Sequence, residues 1–537
     1  MTYLHRPVNP SHVVGVPVPI DPNEIIKRKN ELVAERRDIE AVWADCFNVS
    51  FPLRGLGLNT PGMDTRSQLA YAREKQAQIY DTTACNSARL LASSLLTGLT
   101  PSNSQWFTRT VPNATQDEAA WLEQASFITW RNIVNSNYNG VAFEGLLDCI
   151  HTGMFAMFIR QGEERPYDFE IWPLSNLYMA SSTRSGIIDT IYYCYGLTAS
   201  QAVSEFGEDA VDPLILEASL NRPNEVFEFI NLISPRKVVD EFTLPIASIT
   251  VCVRTKTIVK DSGYHEMPVV VPRLMTLPNS VYTHGLMYEA LPTIRSLNKL
   301  TEFVLGSADM AVAGMWGAVD DGVLNPRTVT VGARKIISVA DKNSLFPLTP
   351  QSNFQIAQWM IETMQADIRK ILMSDQLVQA NGPAMTATEV VERVNMTRRM
   401  LGPNYERLQD EFLRPLVERC FNIAWRAGAF PDPPKSLLGK MASVQYLSPL
   451  ARAQQAEELQ AMERYEQSLG MMMQLGHMEV GDNYDWDGSA RRKAGLNNVP
   501  VALTLPPQAV QQVRQAKQQA MQQQQQQAQA QAQAEGM

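Results

Sequence analysis

The chain has 537 residues, 45% of them hydrophobic, and a formal net charge of −9. That length is too great for one compact core and asks for roughly two to four structural regions. The acidic balance excludes a free-standing nucleic-acid binder with a basic face, though not a protein that guides DNA without gripping it.

Residues 1–20 read as an extended arm, because Pro7, Pro10, Pro17 and Pro19 block a helix. A helix follows, with Asp21 as N-cap, Pro22 in the first turn and Glu24 close behind, and it runs to about Phe47. A second long helix is predicted over 67–99. Its end, "LLASSLLTGLTPSNSQWF", carries Leu91, Leu95 and Leu99 every fourth residue, with Gly98 and Pro101 as stop signals. Neither Gly-rich phosphate-binding signature is present, so this is a buried helix end rather than a phosphate cradle. From about 120 to 195 helix gives way to strand-like pieces such as "DFEIWPL" and "DTIYYCYGL". Residues 225–283 are the most strand-rich part and read as a small β-rich module inserted between helices.

A strongly helical block then covers 284–316, where Leu291, Ile294, Leu297, Leu300 and Val304 keep helical spacing. Its far end turns small, with Ala308, Ala311, Ala313 and Gly314. A further helix is predicted over 384–429, opened by a Thr386/Glu389 capping box and kinked or broken twice, at Pro403 and Pro415. Residues 448–476 read as another amphipathic helix, followed by a turn-rich linker. The last 30 residues hold 15 Gln. That composition leaves an isolated tail uncored, although Ala and Gln are fair helix formers.

Little in the chain points to chemistry. The six cysteines are far apart and read as reduced, buried thiols of a cytosolic protein. Neither a signal peptide nor a membrane span of ~18 apolar residues is present. "NYDWDGSARRKA" matches half of a calcium loop, but Ala494 stands where a bidentate Glu is needed. Cys149 and His151 are two apart without an orienting carboxylate, and "DDG" at 320–322 reads as a turn. The basic runs at 398–400 and 491–493 read as solvated faces. No metal, cofactor or catalytic residue is expected; the profile is that of an assembly component.

Five segments resemble one family, the portal or head-to-tail connector proteins of short-tailed double-stranded DNA phages. They are "SARLLASSLLTGLTPSNSQWF", "HGLMYEALPTIRSLNKLTE", "AMTATEVVERV", "YLSPLARAQQAEEL" and "DNYDWDGSARRKAGLNNVP" with the Gln-rich stretch after it. Thr283-His284-Gly285 departs from the Tyr-Gly that usually opens the second of these. The resemblance implies a mainly α chain with an α+β wing and a small β-rich clip, forming a ring usually of twelve copies at one capsid vertex. Double-stranded DNA would pass through its channel without sequence specificity. A terminase would dock first and tail adaptor and tail proteins later, with capsid and scaffolding proteins around the ring. The ring would be assembled in the host cytoplasm.

The implied layout is an arm (1–20), a first wing part (21–195), a first stem segment (196–224), the clip (225–284) and a second stem helix (285–316). A second wing part (317–385), the long kinked helix and crown (386–480) and a linker with a Gln-rich barrel or tail (481–537) follow. By position, Ser344, Leu345, Phe346, Gln351 and Asn353 would belong to a channel loop at 344–353. Arg254, Lys256 and Lys260 would dock partners at the clip, and Ala308, Ala311 and Gly314 would pack stem helices. The rival reading is an internal scaffolding or core protein of the virion, against which the inserted β module argues. An enzyme is the third.

Overall fold

The computed structural model describes residues 2–3, 21–58, 65–112, 114–183, 186–236, 244–313, 315–318, 345–348, 354–375, 402–437, 440–446, 449–496, 510–517 and 519. The expected arm therefore lies outside them except for a two-residue strand, β1 (Thr2–Tyr3).

Helix α1 (Pro22–Asn48) begins as its sequence dictates: the Asp21 carboxylate accepts the Asn23 N–H at 2.9 Å and Pro22 sits in the first turn. The single helix expected over 67–99 is two, α2 (Thr65–Ala77) and α3 (Thr83–Leu99). The break is used. The Tyr80 and Asp81 N–H groups donate to Asn298 Oδ1 at 3.2 and 3.1 Å, and Thr83 N–H is held by the Asp81 carboxylate at 2.8 Å. Donors that a continuous helix would satisfy internally are spent on a distant element instead. At the end of α3, Leu91, Leu95 and Leu99 are buried, and Trp106 lies edge-on to Phe107. Each such leucine contributes about 1.5–3 kcal/mol by leaving water.

After β2 (Phe107–Thr110) come α4 (Gln116–Val134), opened by a Thr115/Glu118 capping box, and α5 (Tyr138–Thr152), which stops at Gly153 in the left-handed region, φ 82°. Strands β3 (Ala156–Gln161) and β4 (Tyr167–Trp172) pair antiparallel. Then β5 (Leu177–Ala180) and β6 (Thr190–Thr198) lead to two short helices, α6 (Ala199–Phe206) and α7 (Pro213–Asn221). Strands β7 (Val226–Pro235), β8 (Ile246–Cys252) and β9 (Thr257–Tyr264) follow.

The five strands from β5 to β9 form one antiparallel sheet in chain order. The strand-rich part is thus not confined to 225–283. β6 pairs with β7 from Ile191↔Ile233 to Thr198↔Val226, so the sheet starts at Leu177. The stretch expected as a first stem segment holds the end of β6 and the α6–α7 pair, which lies across the sheet. Strand alternation separates two faces. Phe227, Phe229, Cys252 and Val259 pack under α6 and α7, while Ile230, Leu232, Ala247, Ile249 and Val251 pack under Ile25 and Leu32 of α1.

Strand β10 (Val269–Val270) joins the outer edge of β3. The long helix α8 (Leu286–Ala313) comes next, then β11 (Met315–Ala318) paired with β12 (Leu345–Leu348), then α9 (Phe354–Ile371). The helix expected over 384–429 is described from residue 402. The Thr386/Glu389 box falls outside. Pro415 does not break the helix, whereas at Pro403 a helix begins behind a non-helical Gly402, φ 49°. Pro403 opens α10 (Pro403–Leu408), where its missing N–H needs no partner. Pro415 is accommodated by a π turn over Gln409–Leu413, in which Arg414 N–H reaches back to the Gln409 carbonyl, and α11 (Arg414–Arg426) continues. Strand β13 (Met441–Tyr446) lies between β1 and β2. Last come α12 (Pro449–Gln474) and α13 (Trp486–Leu496). The second occupies the stretch expected as a turn-rich linker, because Asp485 Oδ1 caps it through Gly488 N–H at 2.8 Å. Residues 510–517 are helical. The largest buried cluster is shared by α3, α5, β3, the first half of α8 and the α10–α11 helix.

Candidate functional site

The site that follows from this fold is α8, from its root to its bare far half. At the root, chain crosses chain with almost no separation. A Cβ on Gly285 would lie 2.1 Å from the Ile150 carbonyl oxygen, and one on Gly153 would lie 2.2 Å from that of His284. Only hydrogen fits at either place. Trp43 Nε1–H donates to the Thr283 carbonyl at 2.8 Å, and Tyr282 packs edge-on to Trp43 while its hydroxyl accepts from Met179 N–H at 2.9 Å. The His284-Gly285 pair thus meets a close backbone approach that depends on the glycine.

The first half of α8 is core: Leu286, Met287, Ala290, Leu291, Ile294 and Leu297 are buried. Pro292 lies inside this half without ending it. Arg295 pairs with Asp45 at 3.0 Å, and Asn298 holds the α2–α3 break. Beyond Thr301 the helix runs beside α9 and exposes large apolar side chains. Phe303 is 60% and Leu305 53% exposed, and a Cβ on Gly306 would meet nothing within 4 Å. On the neighbouring α9, Phe354, Ile356, Trp359 and Met360 are exposed as well. Ala308, expected to pack stem helices, is half-buried. Ala311 is in α8, but its side chain, like Gly314, falls outside the described residues.

Two of the residues expected in a channel loop are described. Leu345 and Phe346 are in β12, which pairs with β11 at the far end of α8, Ala318↔Leu345 and Gly317↔Phe346. Ser344, Gln351 and Asn353 lie outside the described residues.

The three clip residues all belong to the β8–β9 hairpin. Arg254 is engaged by Glu225 at 2.6 Å and lies over the Phe227 ring. Lys256, at φ 57°, occupies the β8–β9 turn beside α1. Lys260 is exposed on β9, an edge strand of the sheet, where a lysine discourages unwanted pairing.

The candidates for chemistry are structural. Burial pushes the Cys149 thiol up to about 12, and His151, stacked on Phe47 and bonded to Leu147 O and Ser50 Oγ, is held down to about 4 chiefly by burial. Arg492 and Lys493 of the basic run pair with Glu458 and Glu466 of α12. No group of His, Cys, Asp and Glu among the described residues could hold a metal ion, and no described helix is long and apolar enough to cross a membrane.

Two feature types were missed in the sequence. The large exposed apolar side chains of α8 and α9 sit at helical spacings that look like core. The ionic anchors Arg273–Glu411 and Glu266–Arg419–Arg426 join distant segments that no local pattern links.

The chain is 24% identical over 532 residues to the portal protein of Salmonella phage epsilon15, covering 92% of this chain and 90% of that one. It is 24% identical over 524 residues to the probable portal protein of Bordetella phage BPP-1, again covering 92% and 90%. A chain in the neck of an empty GTA particle aligns over 69% of this chain and 85% of its own, at 12% identity and a TM-score of 0.31, too slight a likeness to build on. The family described as bacteriophage head to tail connecting protein matches residues 22–504, and this chain belongs to it.

Proposed function

We propose that this chain is the repeating subunit of a portal ring, usually of twelve copies, at one vertex of a phage capsid. Double-stranded DNA passes through the central channel during packaging and ejection. A terminase docks on the ring during packaging, and tail adaptor and tail proteins replace it. Capsid and scaffolding proteins surround the ring, which assembles in the host cytoplasm. The chain's part is architectural rather than catalytic.

The observation that carries this reading is the bare far half of α8. A helix that buries Leu286, Leu291, Ile294 and Leu297 and then exposes Phe303 and Leu305 presents apolar side chains left uncovered by the described residues. Copies of the chain standing side by side would cover them and leave a hole at the centre. The net charge of −9 suits a duct for a polyanion, since each phosphate neutralised would add salt-dependent affinity and hence drag.

Electron microscopy of the purified protein tests the proposal. Rings with a central hole are expected, and Phe303→Lys with Leu305→Lys should reduce them to monomers with unchanged circular dichroism. A compact oligomer without a hole would favour an internal scaffolding or core protein instead, and a monodisperse monomer would overturn the ring.

A further inference from the structure

The sheet module carries two surfaces of opposite charge on its two opposite faces. The outer side of α6 and α7 is acidic: Glu205, Glu208, Asp209 and Glu217 are exposed, and no Lys or Arg occurs between Gly196 and Asn221. None of these carboxylates pairs with a base among the described residues. Among them, Leu214 and Leu220 are also exposed, Leu220 at 80%.

Across the sheet, α1 and the β8–β9 turn enclose an open groove of about 500 Å³, lined by Asn23, Ile26, Lys27, Asn30, Glu31 and Lys256. Glu31 is neutralised by Arg28 at 2.9 Å. Lys27 and Lys256 are exposed and have no carboxylate partner among the described residues, so the groove is basic around an apolar floor at Ile26.

We propose that the α6–α7 surface of one copy docks into the α1 groove of the next. The occupant is a second copy because the two surfaces are complementary in charge. Within one chain the two surfaces lie on opposite sides of the sheet, as the alternation of Phe229 with Ile230 and of Val251 with Cys252 requires, so they cannot meet. A contact between two different patches of identical chains is heterologous, and it repeats from copy to copy until rotation closes it into a ring. Opposite charges fix which patch meets which and disfavour like-to-like pairing. Lys256 then serves the neighbouring copy, not a docking motor.

This inference rests on the ring reading above, and a charge swap separates the two. One variant carries Glu208→Lys and Glu217→Lys; a second carries Lys27→Glu and Lys256→Glu. All four positions are exposed, so folding is not at stake. Native mass spectrometry and electron microscopy read the ring fraction. Each variant alone should lose rings at least tenfold, because it presents like charges across the contact. A 1:1 mixture of the two, or all four changes in one chain, should restore them. Normal rings from either variant alone, or no recovery in the combined forms, would overturn the interface while leaving the ring intact. A wild-type protein that forms no rings would take both readings down together.

Discussion

His151 is neutral at ordinary pH because burial disfavours its cation, with Arg54 nearby adding to the effect. The Leu147 carbonyl can only accept, so Nδ1 carries the proton, and the unprotonated Nε2 competes with the Cys46 carbonyl for the one hydrogen of the Ser50 hydroxyl. Unfolded, the ring takes up a proton near its ordinary 6.5; folded, only near about 4. The unfolded state therefore binds more protons between those values. Stability from this group is complete above the upper value, falls as pH drops through the interval, and falls no further below it. The whole effect is about 3 kcal/mol. Thermal midpoints at pH 7 and pH 4.5 should differ more in the wild type than in His151→Gln; an equal drop in both would place the acid response elsewhere. Gly285 gives a second test. A methyl group there meets backbone at Ile150 and His151, which cannot step aside. Gly285→Ala should cost about 3 kcal/mol. Gly306→Ala, in open space on the same helix, should stabilise by about 1 kcal/mol, since alanine is the better helix former. Differential scanning calorimetry of both variants checks the contrast; equal behaviour would mean that the root is not crowded.

The segment from Tyr264 to the start of α8 is strapped down at both ends by charge. Glu266 bridges Arg419 and Arg426 at 2.6 and 2.7 Å, and Arg273 meets Glu411 of the π turn at 2.9 Å while also donating to the Gly186 carbonyl. Burial pulls the Glu266 carboxyl up, but the two guanidiniums outweigh it and hold it below the usual range. Its contribution is present above the ordinary carboxylate pKa and is lost as pH falls through the lowered value. Glu266→Gln leaves Arg419 buried without its anion and should cost about 3 kcal/mol. Amides of 265–274 should then exchange faster with solvent, and unchanged protection would show that β10 alone holds the strap. These elements also explain what the sequence could and could not reveal. The start of α1 and the end of α3 were legible because caps and apolar stripes act within a few residues. The α2–α3 break was not, since its cause is Asn298, over 200 residues away. The sheet boundary was missed because β6 and β7 are joined through a helical pair, and pairing is non-local. On α8 the small residues drew attention, whereas Phe303 and Leu305 carry the exposed surface. A periodic stripe does not record where it leaves the core.

In the molecule as a whole, the Gln-rich end is not detached at its beginning. Arg514 in the 510–517 helix reaches both carboxylate oxygens of Asp487 in α13 at 2.6 Å. Ring assembly would bring many such ends together at high effective concentration. On assembled rings, hydrogen exchange should find 510–517 protected, with protection extending over 507–533 if the tails form a helical barrel. Full exchange within seconds across 507–533 would mean that no barrel forms. The root of α8 has a consequence of another kind. Its 28 residues reach ~42 Å at the usual rise per residue. Its buried first half is fixed in the core and the remaining ~24 Å acts as the arm, so a tilt of ~5° of that half moves the tip by ~2 Å. Every copy in a ring would share that error, and an opening bounded by the tips would widen or narrow by twice as much. The tolerance of such an aperture is therefore set far from it, where the backbones at Gly153 and Gly285 touch.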